Sequence, residues 1–436
     1  MDIKTLSYRV FSYGNNNIDL GGGELKIFQS ILIFILCFQN SLVAHAESSM
    51  KAAFIREGNL WVKIDDKELQ ITDNGNAGSP EWSHDARWIA YSKQGEKPEN
   101  LEIWAYNIEA QKNYLVFHHG YNFQWAPDRN LLAYQPQIGI NLTDLRGDKP
   151  ARTYDVAHGV DHFSWTPDGR GFLASSSACP RPDGWSNPVL FNIKLEDDFE
   201  PDNVFANAKE FFTIPGTLKK NNIEILSIGT SSFKWSPDKK WISFIVNPTA
   251  SWSMDSNMLC ILSSDGQKFE PLDEMASGFP FDWAPTSNLL GYIQGGGRMV
   301  FGFNNKNLKV KELPALQQLV LTPKNFVDLS FTWQSDENVV VSRSPELEWS
   351  NVPSKRALPI LYRINILNKE QLQLSFPPNG YGDFNPEILQ TNKKLSWTRS
   401  NWEKNNIWIS ELDGTSPEKW IENVDYLGAV TWYDPQ

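Results

Sequence analysis

Four histidines and an aspartate fall within two short segments of the first half of the chain: His118 and His119, then His158, Asp161 and His162. Neutral imidazole is a common ligand of divalent metals, and a carboxylate beside it makes a mixed nitrogen and oxygen set. If the two segments converge, they would form a metal centre. The competing reading is of loop histidines bonded to backbone or water. A second group is aromatic. The stretches "GWSNP" at 184–188, "SWSMD" at 251–255 and "EWSNV" at 348–352 each set a tryptophan beside a serine among turn formers. Trp185, Trp252, Trp349 and Trp402, with Arg181 and Arg399 in the same neighbourhoods, have the composition of a protein-binding hot spot. The alternative is that these tryptophans fold back and seal their own loops.

Catalytic motifs are sparse. The sequence contains no Gly-x-Ser-x-Gly nucleophile elbow, His-Glu-x-x-His helix, phosphate-cradling glycine loop or Cys-x-x-Cys pair. No organic cofactor is indicated, and a divalent metal on the histidines is the one cofactor the residues suggest. The net charge of −12 excludes a nucleic-acid partner, which needs a basic surface to release counterions from phosphate.

What must position these residues is a repeat. "PEWSHDARWIAYS", "FQWAPDRNLLAYQ", "FSWTPDGRGFLAS", "FKWSPDKKWISFI", "FDWAPTSNLLGYI" and "FTWQSDENVVVSR" share one plan: an apolar-x-Trp strand end, a turn, then a second apolar strand. The anchors are Trp82, Trp125, Trp165, Trp235, Trp283 and Trp333. A weaker copy places Phe384 at the anchor, and a half-copy ends on Trp432. A third strand follows each hairpin, and often a tight turn such as Asp265-Gly266 or Asp413-Gly414 leads to a fourth; four strands per period are the signature of a β-propeller blade. The segment from Ala52 supplies three strands without a first, and Trp432 supplies a first without successors. The expectation is an all-β protein, a single propeller over residues 50–436. Eight four-stranded blades are counted, closed by the terminal segments pairing at the strand that holds Leu60 and Trp61, with seven blades as the alternative. The anchors are read as core between blades, and Asp128, Asp168 and Asp238 as turn caps.

The stretches "WTPDGRGFLAS", "WSPDKKWISFI" and "IREGNLWVKI" resemble the TolB-type propeller repeat and, more remotely, the N-terminal propellers of prolyl-oligopeptidase-like enzymes. The resemblance implies the fold and leaves activity open, because the shared residues are structural.

In an up-and-down blade, the loops between strands two and three emerge on the same ring face as the inter-blade connections. The four loop tryptophans lie 16 to 20 residues beyond their anchors, and therefore on that face with the histidines. The segment 25–46 reads as a signal peptide cleaved after Ala46, and 1–24 as untranslated or an extended n-region. Together these readings describe a bacterial propeller, secreted or in the cell envelope. It would be monomeric, without a membrane span after cleavage, and would bind a protein, peptide or envelope glycan on the loop face. A metal-dependent hydrolase or lyase on that face is the alternative function. After cleavage Cys179 and Cys260 remain, and their pairing is left open.

Overall fold

The computed structural model describes residues 49–435 except 96, 98–99, 196–207, 249–255, 277 and 297–302. The stretches read as leader and signal peptide, and Trp252, lie outside the described residues. Eight four-stranded antiparallel sheets make up the domain. Seven are continuous in sequence, and we number them by their anchors, from blade 1 at Trp82 to blade 7 at residues 382–424. Blade 4, for example, runs Gly229–Trp235, Trp241–Asn247, Asn257–Ser263 and Phe269–Met275. Blade 8 takes its innermost strand, Val430–Trp432, from the C-terminal segment, and Lys51–Arg56, Asn59–Ile64 and Lys67–Gln70 from the N-terminal one. Two short hairpins stand outside the blades: Pro180–Arg181 with Gly184–Trp185, and Thr217–Lys220 with Ile223–Leu226.

The eight-bladed count is thus observed, with two corrections to the sequence reading. Ring closure pairs Trp432 with Ala52, Thr431 with Ala53 and Val430 with Phe54, one strand inward of Leu60 and Trp61. The second concerns blade 7, where Ile388 rather than Phe384 is the anchor. Ile388 pairs with Leu395 just as Trp82 pairs with Ile89 and Trp235 with Ile242. Each of these inner strands carries a bulge with a left-handed residue, Ser79, Ser232 or Asn385, and Phe384 lies before it.

The repeat motif explains its own geometry. A Ser or Thr after the anchor donates to an Asp two residues on, which also accepts the next amide but one. Ser83 and Asp85, Thr166 and Asp168, and Ser236 and Asp238 all do this. The hydrogen bond from Thr166 is foremost in holding the Asp168 carboxyl below the usual carboxylate range. These aspartates also clamp neighbouring blades: Asn130 donates to Asp85 and Asn288 to Asp238.

Above the turns the anchor indoles form a second belt. Trp82 donates Nε1 to the Thr431 carbonyl, Trp125 to Glu81, Trp165 to Gln124, Trp283 to Lys234 and Trp333 to Asp282. In every case the acceptor is the residue just before the preceding blade's anchor. The belt lapses in three places. Trp235 and Trp432 have buried Nε1 atoms without partners, and Ile388 has no indole.

Candidate functional site: the loop face and channel mouth

The inner strand of each blade alternates by twos. Residues at the anchor and two before it are buried or half-buried between blades, while the residue between them stays accessible and faces the channel. Those eight channel positions are Glu81, Gln124, Ser164, Lys234, Asp282, Thr332, Glu387 and Thr431. Lys234 is the one basic side chain among them and lies 3.1 Å from Asp282. Burial pushes the Glu81 carboxyl up to about 8. Glu387 is open to the channel, yet the protein packed closely around its carboxyl desolvates it and, helped by the charge on Asp434, pushes it up to about 7.

The loop face presents aromatics in two ways. Trp185 caps the extra hairpin at 44% exposure, with Arg181 exposed across the same two-residue ladder. Trp349 and Trp402 are instead half-buried and packed together, ring centroids 6.3 Å apart and edge-on. Phe303, from the blade 5 loop, stacks on Trp349 at 5.8 Å and meets Trp402 edge-on, also at 5.8 Å. Phe384 reaches Trp402 from below at 5.1 Å. The Arg356 guanidinium covers both indoles, 4.4 Å from Trp349 and 5.3 Å from Trp402, and is held by the Ser350 carbonyl. Trp402 Nε1 donates to the Ala357 carbonyl at 3.0 Å. Loops from blades 5, 6 and 7 are thereby joined into one platform.

Under the platform lie two buried ion pairs. Arg399 is only 8% exposed and forks onto Asp383 at 2.7 and 2.9 Å, with Trp397 donating to the same carboxylate. Its neighbour in blade 6, Arg343, forks onto Asp328 at 2.6 and 2.7 Å. Arg399 therefore supports the face from within, while Arg356 takes the surface position that the sequence assigned to it.

The histidines occupy inter-blade connections but do not meet. His118 is exposed and pairs with Glu102 at 3.0 Å, His119 is exposed, and His158 is exposed at the end of a blade 2 strand. His162 accepts the Ser232 amide on Nε2 at 3.0 Å and packs on Phe233; burial lowers its proton affinity. Asp161 lies against Gly229. Among the described residues no group of three or more His, Cys, Asp or Glu side chains is placed to hold a metal ion, so the expected centre is not assembled. Cys179 is exposed, Cys260 is buried, and both are free thiols.

The sequence reading missed Phe303, Arg356 and the channel positions. A signal existed for the last group, since the residue before each anchor is polar in every repeat. Phe303 and Arg356 sit in loops without period, and only the fold brings them to Trp349.

No family sequence profile and no curated protein matches the chain. Among solved structures it is similar to TolB from Acinetobacter baumannii, at 11% identity over 96% of this chain and 75% of that one, with a TM-score of 0.39. It is also similar to a putative TolB from Agrobacterium tumefaciens, at 12% identity over 76% and 96%, TM-score 0.36. An oligogalacturonate lyase from Vibrio parahaemolyticus is similar at 12% identity over 86% and 97%, TM-score 0.45. At such identities likeness concerns fold alone. The chain is an eight-bladed β-propeller.

Proposed function

We propose that the chain is an extracytoplasmic binding propeller, released by cleavage after Ala46, that recognises a protein or peptide partner of the bacterial envelope on its loop face. The observation that carries this reading is that Trp185 and Arg181 are both exposed on one hairpin that belongs to no blade, paired with Pro180 and Gly184 respectively. A large indole at 44% exposure whose backbone is held in a hairpin ladder has less conformational freedom to lose on binding than one on an open loop, which favours a hot-spot role. The platform of Trp349, Trp402 and Arg356 extends the same chemistry across blades 6 and 7. Among the described residues no helix is long and apolar enough to cross a membrane.

The test uses the mature chain immobilised through its C-terminal end, with envelope extract passed over it and captured proteins identified by mass spectrometry. Trp185→Ala and Arg356→Ala should each deplete a partner retained by the parent chain while melting normally. If both variants capture the same set in the same amounts, the loop face is not the binding surface.

A further inference from the structure

Comparison of blades 4 and 7 exposes a difference the repeat does not require. Gly229, Thr230 and Ser231 pair with Asn247, Val246 and Ile245, while Gly382, Asp383 and Phe384 pair with Ser400, Arg399 and Thr398. Ser231 thus holds the position of Phe384. In blade 7 that phenyl ring fills the mouth under Trp402. Beside Ser231 in blade 4 lies a cavity of about 450 Å³, lined among the described residues by Ser231, Ser232, Lys234, Asn247, Asn257 and Phe279 together with other groups from blades 4 and 5. That volume is in the range of small-molecule sites, about 300 to 1,000 Å³.

Its walls have a definite chemistry. Ser231 Oγ donates to Asn247 Oδ1 at 3.1 Å, and Asn247 Nδ2 to Asn257 Oδ1 at 3.1 Å, so a chain of polar side chains is fixed in orientation along one side. Phe279, half-buried, and Phe281 give an apolar surface on the other. Lys234, the only cation of the eight channel positions, reaches the floor, its ammonium 5.5 Å from the Phe281 ring centre. Its ion pair with Asp282 is well exposed, with side chains 42% and 57% accessible, so it is weak and open to competition by an incoming anion.

We propose that this cavity is a binding subsite for a carboxylate-bearing saccharide unit. The carboxylate would lie on Lys234, the hydroxyls on the Ser231, Asn247 and Asn257 array, and the apolar face of the sugar ring on Phe279. A bare carboxylic acid would leave the amide array unused, and a neutral sugar would leave the lysine unused.

Titration calorimetry of the mature chain with glucuronate, glucose and N-acetylglycine as probes tests the assignment. Glucuronate should bind saturably, and glucose more weakly by about tenfold or more. Lys234→Met should bring glucuronate down to the level of glucose. Ser231→Phe, which installs the ring that plugs blade 7, should abolish binding of both sugars with a normal melt; should that variant not fold, Lys234→Met decides. The proposal is overturned if glucuronate fails to saturate the folded parent chain, or if glucose binds equally well. It is equally overturned if N-acetylglycine binds at least as tightly, which would mark a peptide terminus as the ligand. Trp185→Ala and Arg356→Ala should bind glucuronate like the parent, so failure of partner capture on the loop face leaves this result untouched.

Discussion

At the scale of single residues, the three kinds of tryptophan should separate by cost of removal. Trp165 is 6% exposed, packs tilted against Phe172 at 4.2 Å and donates across the blade boundary. Trp165→Ala should cost about 3 to 5 kcal/mol, as truncation of a large buried aromatic does. Trp185→Ala should fall within about 0.5 kcal/mol of the parent, the range of exposed positions. Trp349→Ala should land between them at about 1 to 2 kcal/mol, because its contacts to Phe303, Trp402 and Arg356 are real but half-solvated. Urea melts of the three variants check the order, and a Trp349 cost equal to that of Trp165 would make it purely a plug. The channel carboxylates give a pH test. Glu81 and Glu387 hold their protons more tightly folded than unfolded, so the stability they contribute is full below the ordinary glutamate range. It drains away as pH rises through about 7 to 8. The melting temperature should decline between about pH 5 and pH 8, and the Glu81→Gln, Glu387→Gln double variant should flatten that decline. An identical slope in the double variant would mean that other groups govern it.

Among elements, the indole belt makes a comparison with an internal control. Trp283→Phe removes a hydrogen bond to the Lys234 carbonyl, whereas Trp235→Phe removes an Nε1 that has no partner. Both lose similar ring volume, so Trp283→Phe should be the more destabilising by about 1 kcal/mol, measured as a difference in denaturation midpoint. This belt also shows what could be read from sequence. Blade number, the tryptophan anchors and the caps Asp168 and Asp238 were legible because Trp-Ser/Thr-x-Asp states a packing slot and a turn in four residues; Asp128, expected as a third cap, follows Ala126, has no hydroxyl to accept from, and pairs with Arg129 instead. The anchor of blade 7 was not, because a bulge at Asn385 adds residues to the inner strand and Ile388 carries no indole to mark the register. Placement of Trp185, Trp349 and Trp402 in loops between second and third strands followed from strand alternation alone. Their mutual packing did not, since Phe303, Trp349 and Trp402 come from three blades whose loops have no period. The expected metal centre failed for the same reason: neighbouring loops share a face without sharing a point.

For the whole molecule, the closing seam decides stability. Only three residue pairs join Val430–Trp432 to Lys51–Arg56, but side chains reinforce them. Trp420 stacks on Trp432 at 4.6 Å, Asp425 accepts the amides of Glu57 and Gly58, and Asp434 accepts those of Gln390 and Thr391. Deleting 425–436 removes both aspartates and the inner strand, which leaves the edge of Lys51–Arg56 unpaired. The truncated chain should lose its single cooperative transition in calorimetry, and an unchanged melt would refute closure.

The same seam sets a clock on synthesis. Arg56 Nε donates to the carbonyl of Glu422 across 366 residues of chain, so the N-terminal strands of blade 8 cannot find their inner neighbour until the intervening blades have been translated. At about 5 to 20 residues per second that is a wait of roughly 20 to 70 seconds with an open strand edge on the nascent chain. The edge left open is Lys51–Arg56, whose middle residues Ala52 to Ile55 are apolar, with charge only at its two ends, so until Val430–Trp432 arrives it is a strand edge open to pairing with a wrong partner.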